Sequence, residues 1–521
     1  MTREKYLLQL EDPGNTWDMI VIGGGASGLG TAVEAASRGY RTILLEQYDF
    51  AKGTSSRSTK LIHGGVRYLK QGNLALVLEA LHERGLLMRN APHLVQNLSF
   101  VVPLYDWWEG PFYGVGLKLY DMFAGKLGIG PSRHLSREET LDLMPTLEPG
   151  GLRGGIVYHD GQFDDSRLAI SLARTLEDLG GTPLNYMQVT GILKQESLST
   201  GVTAIDSETG REYKLRSRVV INAAGVFADE IRRMDDPAAS SVITPSQGVH
   251  IVLDRSFLPG DSATMVPHTS DNRVLFAVPW HGRVVIGTTD TMVDTVSLEP
   301  RPLPDEIDYI LSHAARYLVK HPTRTDILSV FPGLRPLVQS GKTTETASIS
   351  REHSLLLSES GLLTITGGKW TTYRRIGEDA VNHAAVVACL EERPSITQGL
   401  RIHGWREKPA AGQPWDVYGS DVQEMERLLS KKPSLGEKLH PDLPYNALEV
   451  VWAVRREWAR TVEDVLARRT RALFLDAKAS MAAAPRVAEL MAHELSRGKT
   501  WQKGQVADYQ AVASGYLPPA L

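Results

Sequence analysis

The sequence predicts an α/β protein in which a βαβ unit opens a domain with a parallel sheet, a mixed-sheet domain is interleaved with it, and a helical domain ends the chain. Three observations support this fold class. Residues 18–46 contain two apolar runs separated by a glycine-rich turn and an Ala/Leu-rich segment. Strand-like and helix-like segments then alternate through the middle of the chain. Beyond residue 400 the apolar spacing is helical.

The βαβ unit begins at Asp18–Gly23, an apolar run that ends on glycine and is typical of a buried strand. Ser27–Arg38 is rich in Ala and Leu, and Gly39 follows it as a helix C-cap. Thr42–Glu46 is a second buried strand. A strand, a glycine turn, a helix and a strand in this order predict a Rossmann-like unit with parallel strands.

The turn of this unit carries the pattern Gly-x-Gly-x-x-Gly at Gly23, Gly25 and Gly28. Glycines let the backbone approach a pyrophosphate, whose charge is favoured at the positive N-terminus of the following helix. Glu46 ends the second strand, where a carboxylate can accept hydrogen bonds from ribose hydroxyls. The pattern therefore predicts a dinucleotide site, and the alternative is a tight strand–helix turn without a ligand.

Residues 53–65 favour FAD over NAD as the dinucleotide. An NAD domain would continue into another apolar helix, whereas this polar, glycine-bearing stretch suits an extended cofactor that threads into the protein. The sequence has no second Gly-x-Gly-x-x-Gly, which argues against the two-nucleotide layout of disulfide reductases.

The rest of the pattern divides the chain into three parts. Residues 1–16 are polar and predict a short arm, residues 17–400 an FAD-binding domain with an interleaved substrate-binding domain, and residues 401–521 a helical domain. The clearest predicted elements are a helix over 73–89, buried strands over 218–225 and 247–252, a hairpin of strands 274–280 and 284–287, and helical spacing over 451–465.

Composition excludes several classes of protein. The 521 residues include 42% apolar and 23% charged side chains, which is ordinary for a globular protein and unlike a disordered chain. The 57 Lys and Arg against 61 Asp and Glu leave a net charge of −4, so no nucleic-acid partner is expected. The single cysteine, Cys389, allows no intrachain disulfide and no cysteine-based metal site, and we expect no metal. The polar N-terminus and the absence of a long apolar run predict a cytoplasmic protein without a spanning helix.

Six blocks separated along the chain carry a more specific pattern. They comprise residues 20–25, 54–56 with 58–69, 222–225, 286–290, 332–337 and 367–374. The most specific are Lys-Leu-Ile-His-Gly-Gly at 60–65 and Gly-Gly-Lys-Trp-Thr-Thr-Tyr-Arg at 367–374. With these blocks the chain resembles the FAD-dependent, quinone-linked glycerol-3-phosphate dehydrogenases, which implies a fold of the D-amino-acid-oxidase-like superfamily. It departs from that family at Arg57, where some members have a small residue, and at Val226-Phe227, which replace Pro-Trp.

The resemblance implies that sn-glycerol 3-phosphate is oxidised to dihydroxyacetone phosphate, that a hydride passes from C2 to FAD, and that electrons go on to membrane quinone. The catalytic residues that we predict are Arg335, Lys369 and His250. The predicted substrate-binding residues are Arg67, Tyr68, Arg335, Arg351 and Lys369. The predicted cofactor-binding residues are Gly23, Gly25, Gly28, Glu46, Thr54, Ser55, Ser58, Lys60, Leu61, His63, Gly64, Gly225, Gly368, Lys369 and Thr371.

Each catalytic residue has a physical argument and an alternative. Arg335 lies in an apolar loop, where a guanidinium would match phosphate oxygens, and the alternative is a structural ion pair. Lys369 follows two glycines before a helix and would place positive charge near the reduced flavin, and the alternative is that the glycines form an ordinary turn. His250 or His63 could accept the substrate proton, and a structural role is the alternative for either.

Partners and rival functions follow from the same resemblance. The aromatic segment 105–127 with its lysines is a candidate for peripheral attachment to the inner face of the cell membrane, but the interpretation that it covers the protein's own core is favoured. The arginines over 455–471 could contact lipid or another subunit, such as the partner in a homodimer, but a solvated face is favoured. The rival functions are an FAD-dependent oxidase of an amine, amino acid or 2-hydroxy acid, and a flavin-binding regulatory protein.

Overall fold

The computed structural model of the chain describes residues 3–12, 14–65, 73–266, 274–338, 353–407 and 415–519. The strands, numbered in chain order, are β1 (Thr16–Ile22), β2 (Thr42–Leu45), β3 (Leu61–Ile62), β4 (Val95–Leu104), β5 (Arg133–Leu135), β6 (Gly154–Phe163), β7 (Thr182–Leu184), β8 (Met187–Gln195), β9 (Leu198–Asp206), β10 (Glu212–Asn222), β11 (Ile243–Asp254), β12 (Ala263–Val266), β13 (Leu275–Trp280), β14 (Arg283–Gly287), β15 (Thr291–Met292), β16 (Ser329–Val338), β17 (Ser354–Leu357) and β18 (Leu363–Thr366).

The α-helices are Arg3–Leu10, Ala26–Ser37, Leu74–Asn90, Glu109–Ala124, Arg137–Leu143, Asp165–Asp178, Ala228–Asp235, Pro304–Ala314, Tyr373–Val387, Val422–Lys431, Ala447–Arg456, Ala472–Leu475, Ala477–Glu494 and Lys499–Ala513. A π-helix covers Asp464–Arg469. Within the described ranges, no helix is long and apolar enough to cross a membrane.

The first sheet confirms the predicted parallel unit. Its strand order is β17-β18-β10-β1-β2-β7, and β1 pairs in parallel with both β2 and β10. Helix Ala26–Ser37 connects β1 to β2 and packs on this sheet, while β8 and β9 extend it through antiparallel pairs. The carboxyl ends of the parallel strands therefore meet at one edge, which is where α/β sheets bind ligands.

The second sheet is mixed and has the order β15-β11-β14-β13-β12-β4-β6-β3. The predicted hairpin is present as β13 and β14, which turn at His281 and Gly282 with φ of 46° and 73°. Strand β16 pairs with β11 over its whole length, so that Ser246 lies opposite Arg335 and His250 lies opposite Phe331. This register brings the predicted phosphate ligand and the predicted proton acceptor onto neighbouring strands.

The N-terminal segment differs from the predicted arm, because residues 3–10 form a helix. Tyr6 and Leu10 are buried in the core under the first sheet. Arg3 is also buried, and its Nη2 lies 2.8 Å from Oδ1 of Asp206. The sequence signal for this helix is the apolar pair Tyr6 and Leu10, spaced by four positions, and this signal is weak in so short a segment.

The C-terminal part is helical as predicted, but its apolar spacing does not form one continuous helix. Helix Ala447–Arg456 ends before Trp458, which has a left-handed φ of 54°. Asp464 then accepts hydrogen bonds from the amides of Arg460 and Thr461 at 2.7 and 2.9 Å. A carboxylate that accepts hydrogen bonds from two free backbone amides marks the start of a new helical segment. The apolar periodicity of the preceding helix is therefore interrupted here.

The arginine-rich segment is buried, so the favoured interpretation of a solvated face is wrong for its second half. Arg468, Arg469 and Arg471 are at most 3% exposed. Arg469 binds both oxygens of Asp49 at 2.6 and 2.8 Å, and Arg468 also pairs with Asp49. Arg471 Nη2 lies 3.0 Å from Oδ1 of Asp165. Arg468 and Arg469 thus join the C-terminal helices to the segment that follows β2, and Arg471 joins them to helix Asp165–Asp178.

Candidate active site

A cleft of about 390 Å³ runs from the carboxyl edge of the first sheet to the face of the second sheet. The residues that line its length are contributed by the β1 and β2 ends, the segment 51–63, strands β8, β11 and β16, and residues 223–234 and 365–371. A cleft of this extent, at the point where parallel strands end, suits an extended ligand with a nucleotide at one end.

The glycine turn after β1 brings helix Ala26–Ser37 close to the strand. A Cβ on Gly28 would lie 1.9 Å from the carbonyl oxygen of Gly23, so only glycine allows this approach. Ser55 reaches the same turn, where its Oγ accepts a hydrogen bond from the amide of Ala26 at 2.9 Å. The N-terminus of the helix therefore opens into the cleft beside a serine hydroxyl, as an anion site requires.

Glu46 lies at the end of β2 and lines the cleft. Its two carboxylate oxygens accept hydrogen bonds from the amides of Gly24 and Tyr48 at 2.7 and 2.9 Å. Burial raises the pKa of the Glu46 carboxyl, and the two amide bonds oppose that rise. Each oxygen retains acceptor capacity for a further donor, such as a ribose hydroxyl.

The second wall is built around Arg335 on β16. A Cβ on Gly248 would lie 2.3 Å from Arg335 Nη2, so the guanidinium lies directly over this glycine of β11. Arg335 Nη2 donates hydrogen bonds to Thr288 Oγ1 and to the carbonyl of Thr289, both at 3.1 Å, and its Nη1 lies 3.4 Å from Oδ1 of Asp290. The side chain keeps 24% exposure. Arg335 is thus oriented by protein contacts while part of its guanidinium faces the cleft.

His250 lies on β11, which pairs with the strand that carries Arg335, and it also lines the cleft. Its ring stacks on Phe331 with centroids 4.9 Å apart and an interplanar angle of 15°. Its Nε2 lies 2.9 Å from Thr59 Oγ1, and the tautomer decides which of the two atoms donates. Burial, with the charges of Lys60 and Arg335, lowers the pKa of His250 well below its usual range. The imidazole is therefore neutral at physiological pH.

The third wall is the loop between β18 and helix Tyr373–Val387. Gly367 and Gly368 adopt positive φ, and Lys369 precedes a helical turn at Trp370–Thr372. The indole of Trp370 donates to the carbonyl of Ser55 at 2.8 Å, which joins this loop to the polar segment of the first wall.

Comparison with known proteins agrees with this architecture. Residues 18–374 match a family described as FAD dependent oxidoreductase, and residues 364–503 match the C-terminal domain of alpha-glycerophosphate oxidase. The chain is 41% identical to the mitochondrial glycerol-3-phosphate dehydrogenase of Homo sapiens, with 95% of this chain and 72% of that protein covered. The chain belongs to the FAD-dependent glycerol-3-phosphate dehydrogenase family.

Two solved structures place this family member among known folds. The glycerol-3-phosphate dehydrogenase of Bacillus halodurans complexed with FAD is 28% identical and has a TM-score of 0.81, with 100% of this chain and 98% of that chain covered. The L-alpha-glycerophosphate oxidase of Mycoplasma pneumoniae is 19% identical and has a TM-score of 0.56, over 74% of this chain and 98% of that chain. The second likeness concerns the fold alone. The predicted fold class and family are therefore confirmed.

The structure brings most of the predicted site residues of this family to one cleft. Those that line it are Gly23, Gly25, Glu46, Thr54, Ser55, Ser58, Leu61, His63, Gly225, His250, Arg335, Gly368, Lys369 and Thr371. Three others lie behind its surface, namely Gly28, Lys60 and Gly64. Arg67, Tyr68 and Arg351 lie outside the described residues. The ligand contacts of all these residues remain predictions.

Several residues around the site were missed by the sequence analysis. Asp165 accepts hydrogen bonds from the Ser58 amide and hydroxyl at 3.1 and 2.7 Å. Thr59 contacts His250, and Asp290 contacts Arg335. The only sequence signal for Asp165 is the Asp-Asp pair at a helix start, which is explained by capping alone, since Asp164 is the N-cap.

Proposed function

We propose that this protein oxidises sn-glycerol 3-phosphate to dihydroxyacetone phosphate with FAD as its resident cofactor. The observation that carries the proposal is the partly exposed guanidinium of Arg335, oriented over Gly248 in the same cleft as His250 and Lys369. A cation that is held in place and neighboured by a neutral histidine suits a small phosphorylated alcohol.

The residues of the first wall fit FAD. The helix N-terminus at Ala26, the Ser55 hydroxyl and the close approach at Gly28 would hold the pyrophosphate. Glu46 would bind the ribose with the acceptor capacity that its two amide bonds leave. When bound, FAD supplies the acceptor for the hydride that leaves C2 of the substrate.

The second and third walls hold the substrate. Arg335 binds the phosphate. Because its contacts with Thr288 and Asp290 already restrict its side chain, Arg335 loses little conformational entropy on binding. Lys369 lines the cleft from the opposite loop and adds positive charge where reduction of the cofactor places negative charge. His250, neutral and held by Thr59 and Phe331, accepts the proton of the C2 hydroxyl.

Anaerobic titration of the purified yellow protein tests this function directly. Glycerol 3-phosphate should bleach the flavin absorbance, whereas glycerol and glycerol 2-phosphate should do so only weakly. If glycerol 3-phosphate leaves the flavin oxidised while an amino acid or a 2-hydroxy acid bleaches it, the rival oxidase function is correct. If no substrate bleaches the flavin, the regulatory alternative gains support. Re-oxidation by a soluble quinone analogue that outpaces re-oxidation by air would support quinone as the acceptor.

We also propose attachment to the membrane surface through the region around helix Glu109–Ala124. Trp107 is 76% exposed and Val115, Leu119 and Met122 of the helix are 65, 40 and 64% exposed. The three helix residues are spaced by four and three positions, so they form one apolar face. The interpretation that the segment covers the protein's own core is wrong for Trp107 and for Trp108, which is 41% exposed, but it is correct for Leu117 and Tyr120, which are buried. An apolar face with a neighbouring Trp suits insertion at a lipid interface.

Co-sedimentation with liposomes tests the attachment. Val115→Asp with Met122→Asp should reduce binding to vesicles that contain anionic lipid and should leave activity with a soluble dye unchanged. Val386→Asp is the matched control, because Val386 is a 78% exposed valine on another helix. Equal binding by all variants would refute the proposed surface. The homodimer and the position at the inner face of the cell membrane remain predictions, and analytical ultracentrifugation tests the first.

A further inference from the structure

The ammonium group of Lys60 is enclosed beneath the cleft. The side chain is fully buried, and its Nζ lies 2.6 Å from Oδ2 of Asp165 and 2.7 Å from the carbonyl oxygen of Ser56. Burial lowers the pKa of Lys60 to about 7, against the attraction of Asp165. A buried ion pair of this kind adds little net stability, so its presence under an active site calls for another explanation.

Aromatic rings surround the same ammonium. Its Nζ lies 5.2, 5.1 and 5.2 Å from the ring centroids of Trp280, Phe331 and Phe474. Phe331 is shared, because its ring also stacks on His250. The cation is attracted to the electron-rich face of Phe331 and so helps to fix the ring on which the histidine rests.

The backbone supplies a second connection between Lys60 and His250. Lys60 has a left-handed φ of 65°, and the residue before it is Thr59, whose hydroxyl lies 2.9 Å from His250 Nε2. Because the Lys60 ammonium is tied to Ser56 and Asp165, the loop that carries Thr59 is held at both of its ends.

The C-terminal helical part completes this support. Arg471 Nη2 donates to the carbonyl of Ser56 at 2.9 Å and to Oδ1 of Asp165 at 3.0 Å. Its guanidinium also lies 4.1 Å from the ring centroid of Phe474. Lys60 and Arg471 therefore share Asp165 and the Ser56 carbonyl as partners.

We propose that Lys60 is a positioning residue for the reaction, which holds the His250 imidazole in the cleft through Thr59 and Phe331. The proposal rests on the proposed function, in which His250 accepts the substrate proton. It gives Lys60 a role toward the histidine instead of the cofactor contact that the sequence suggests. Lys60 touches neither substrate nor cofactor in this role, because its side chain does not line the cleft.

The charges around His250 give the proposal a measurable signature. Lys60 faces the histidine from the cofactor loop and Arg335 faces it from β16, where Asp290 partly neutralises the arginine. Behind Lys60 lie Asp165 and Arg471. Loss of the Lys60 charge removes one cation that opposes protonation of His250, while the Asp165 carboxylate remains. The pKa of His250 should therefore rise.

Stopped-flow reduction of the FAD-loaded enzyme by glycerol 3-phosphate, measured across pH, tests the proposal. Lys60→Met should slow reduction by about 10- to 100-fold, a size typical of lost acid–base positioning. The acid limb of the rate profile should move upward by about one pH unit. The substrate concentration for half-saturation should change far less, because Arg335 is untouched. Lys60→Arg, which keeps the charge, should restore most of the rate and the position of the acid limb.

Arg167→Met is the control for a purely structural role. Arg167 is buried on the same helix as Asp165 and makes a bidentate ion pair with Glu457 at 2.7 and 2.8 Å, without contact to His250. Arg167→Met should lower the thermal midpoint without moving the acid limb. If Lys60→Met does not fold, Thr59→Val replaces it and should show the same slowing through loss of the hydroxyl, while the acid limb stays in place because the Lys60 charge is kept.

The outcomes separate this proposal from the proposed function. A wild-type flavin that glycerol 3-phosphate fails to bleach refutes the function. A wild type that bleaches, with His250→Gln reduced at the same rate, refutes the role of His250. A wild-type rate of reduction in folded, flavin-loaded Lys60→Met or Thr59→Val, or an unmoved acid limb in Lys60→Met, overturns the positioning role alone.

Discussion

The first and second walls of the cleft face each other, but they are assembled over very different distances along the chain. In the first wall, the near wall, Glu46 reaches the Gly24 amide across 22 positions of the chain and Ser55 reaches the Ala26 amide across 29. In the second wall, the far wall, Arg335 reaches Thr288 across 47 positions, and His250 is held across 191 positions by Thr59 of the cofactor loop. The near wall uses backbone amides and glycines, whereas the far wall uses side chains. Changes at near-wall residues that line the cleft should therefore affect cofactor content, and changes in the far wall should affect rate or affinity.

The largest effect is expected from Gly25→Val in the near wall. Gly25 lines the cleft at the N-terminus of the helix, and a Cβ there would already lie 3.0 Å from Ser55 Oγ. The branched side chain should displace Ser55 and fill the space that a pyrophosphate needs. We expect purified protein with little or no flavin, measured by absorbance after denaturation.

Gly504→Val is the control for that variant, because a Cβ at Gly504 meets nothing within 4 Å and the residue lies on helix Lys499–Ala513. It should keep its flavin. Full flavin content in folded Gly25→Val would place the cofactor elsewhere and remove the functional contrast between the walls.

The next largest effect is expected at Asp49, which joins the near wall to the C-terminal helices. Its carboxylate pairs with Arg468 and Arg469, and their charges hold the pKa of Asp49 well below its usual range despite burial. Asp49→Asn leaves two arginines buried with one fewer anion, which should lower the free energy of unfolding by about 3–5 kcal/mol. Chemical denaturation measures this. A loss below about 1 kcal/mol, the size of a surface pair, would contradict the cluster as a stabilising junction.

Arg335→Ala and Lys369→Ala compare the far wall with the third wall. Loss of the charge-assisted phosphate contact at Arg335 should weaken substrate binding by about 2–4 kcal/mol while FAD stays bound. Lys369→Ala should slow flavin reduction more than it weakens binding. Anaerobic stopped-flow reduction at a series of substrate concentrations separates the two effects. Equal and negligible effects would remove both residues from the site.

The smallest effect is a pH dependence of stability at His403, which does not line the cleft. His403 lies between Asp178 and Asp421, at 2.6 and 3.0 Å, and these carboxylates raise its pKa to about 9 although burial opposes them. The folded pKa exceeds the unfolded value near 6.5, so the stabilisation is complete below about pH 6.5 and is lost as pH rises through 9. His403→Gln should lose on the order of 2 kcal/mol at pH 6 and almost nothing at pH 10. A pH-independent difference in thermal midpoint would contradict this.

Sequence reasoning succeeded where contacts are local. The strand, glycine turn, helix and acidic strand end over residues 16–46 follow from periodicity and from the steric needs of a close backbone approach. It missed helix Arg3–Leu10 and the break at Trp458, because a buried pair in a short segment and a single left-handed residue leave almost no pattern. Blocks with matching residues indicated His250 and Arg335 but could not show that they would lie on paired strands.

The sequence by itself determined the dinucleotide unit, the helical C-terminal part and the residue types of the site, because glycine, apolar periodicity and charge act over neighbouring positions. Tertiary structure alone decided the surroundings of each charge. Lys60 and Arg335 are both cations in glycine-bearing blocks, yet one is fully buried against Asp165 and the other keeps 24% exposure in the cleft. The difference arises because strand register and helix packing choose each side chain's neighbours, and a charge binds whatever counter-charge those neighbours provide.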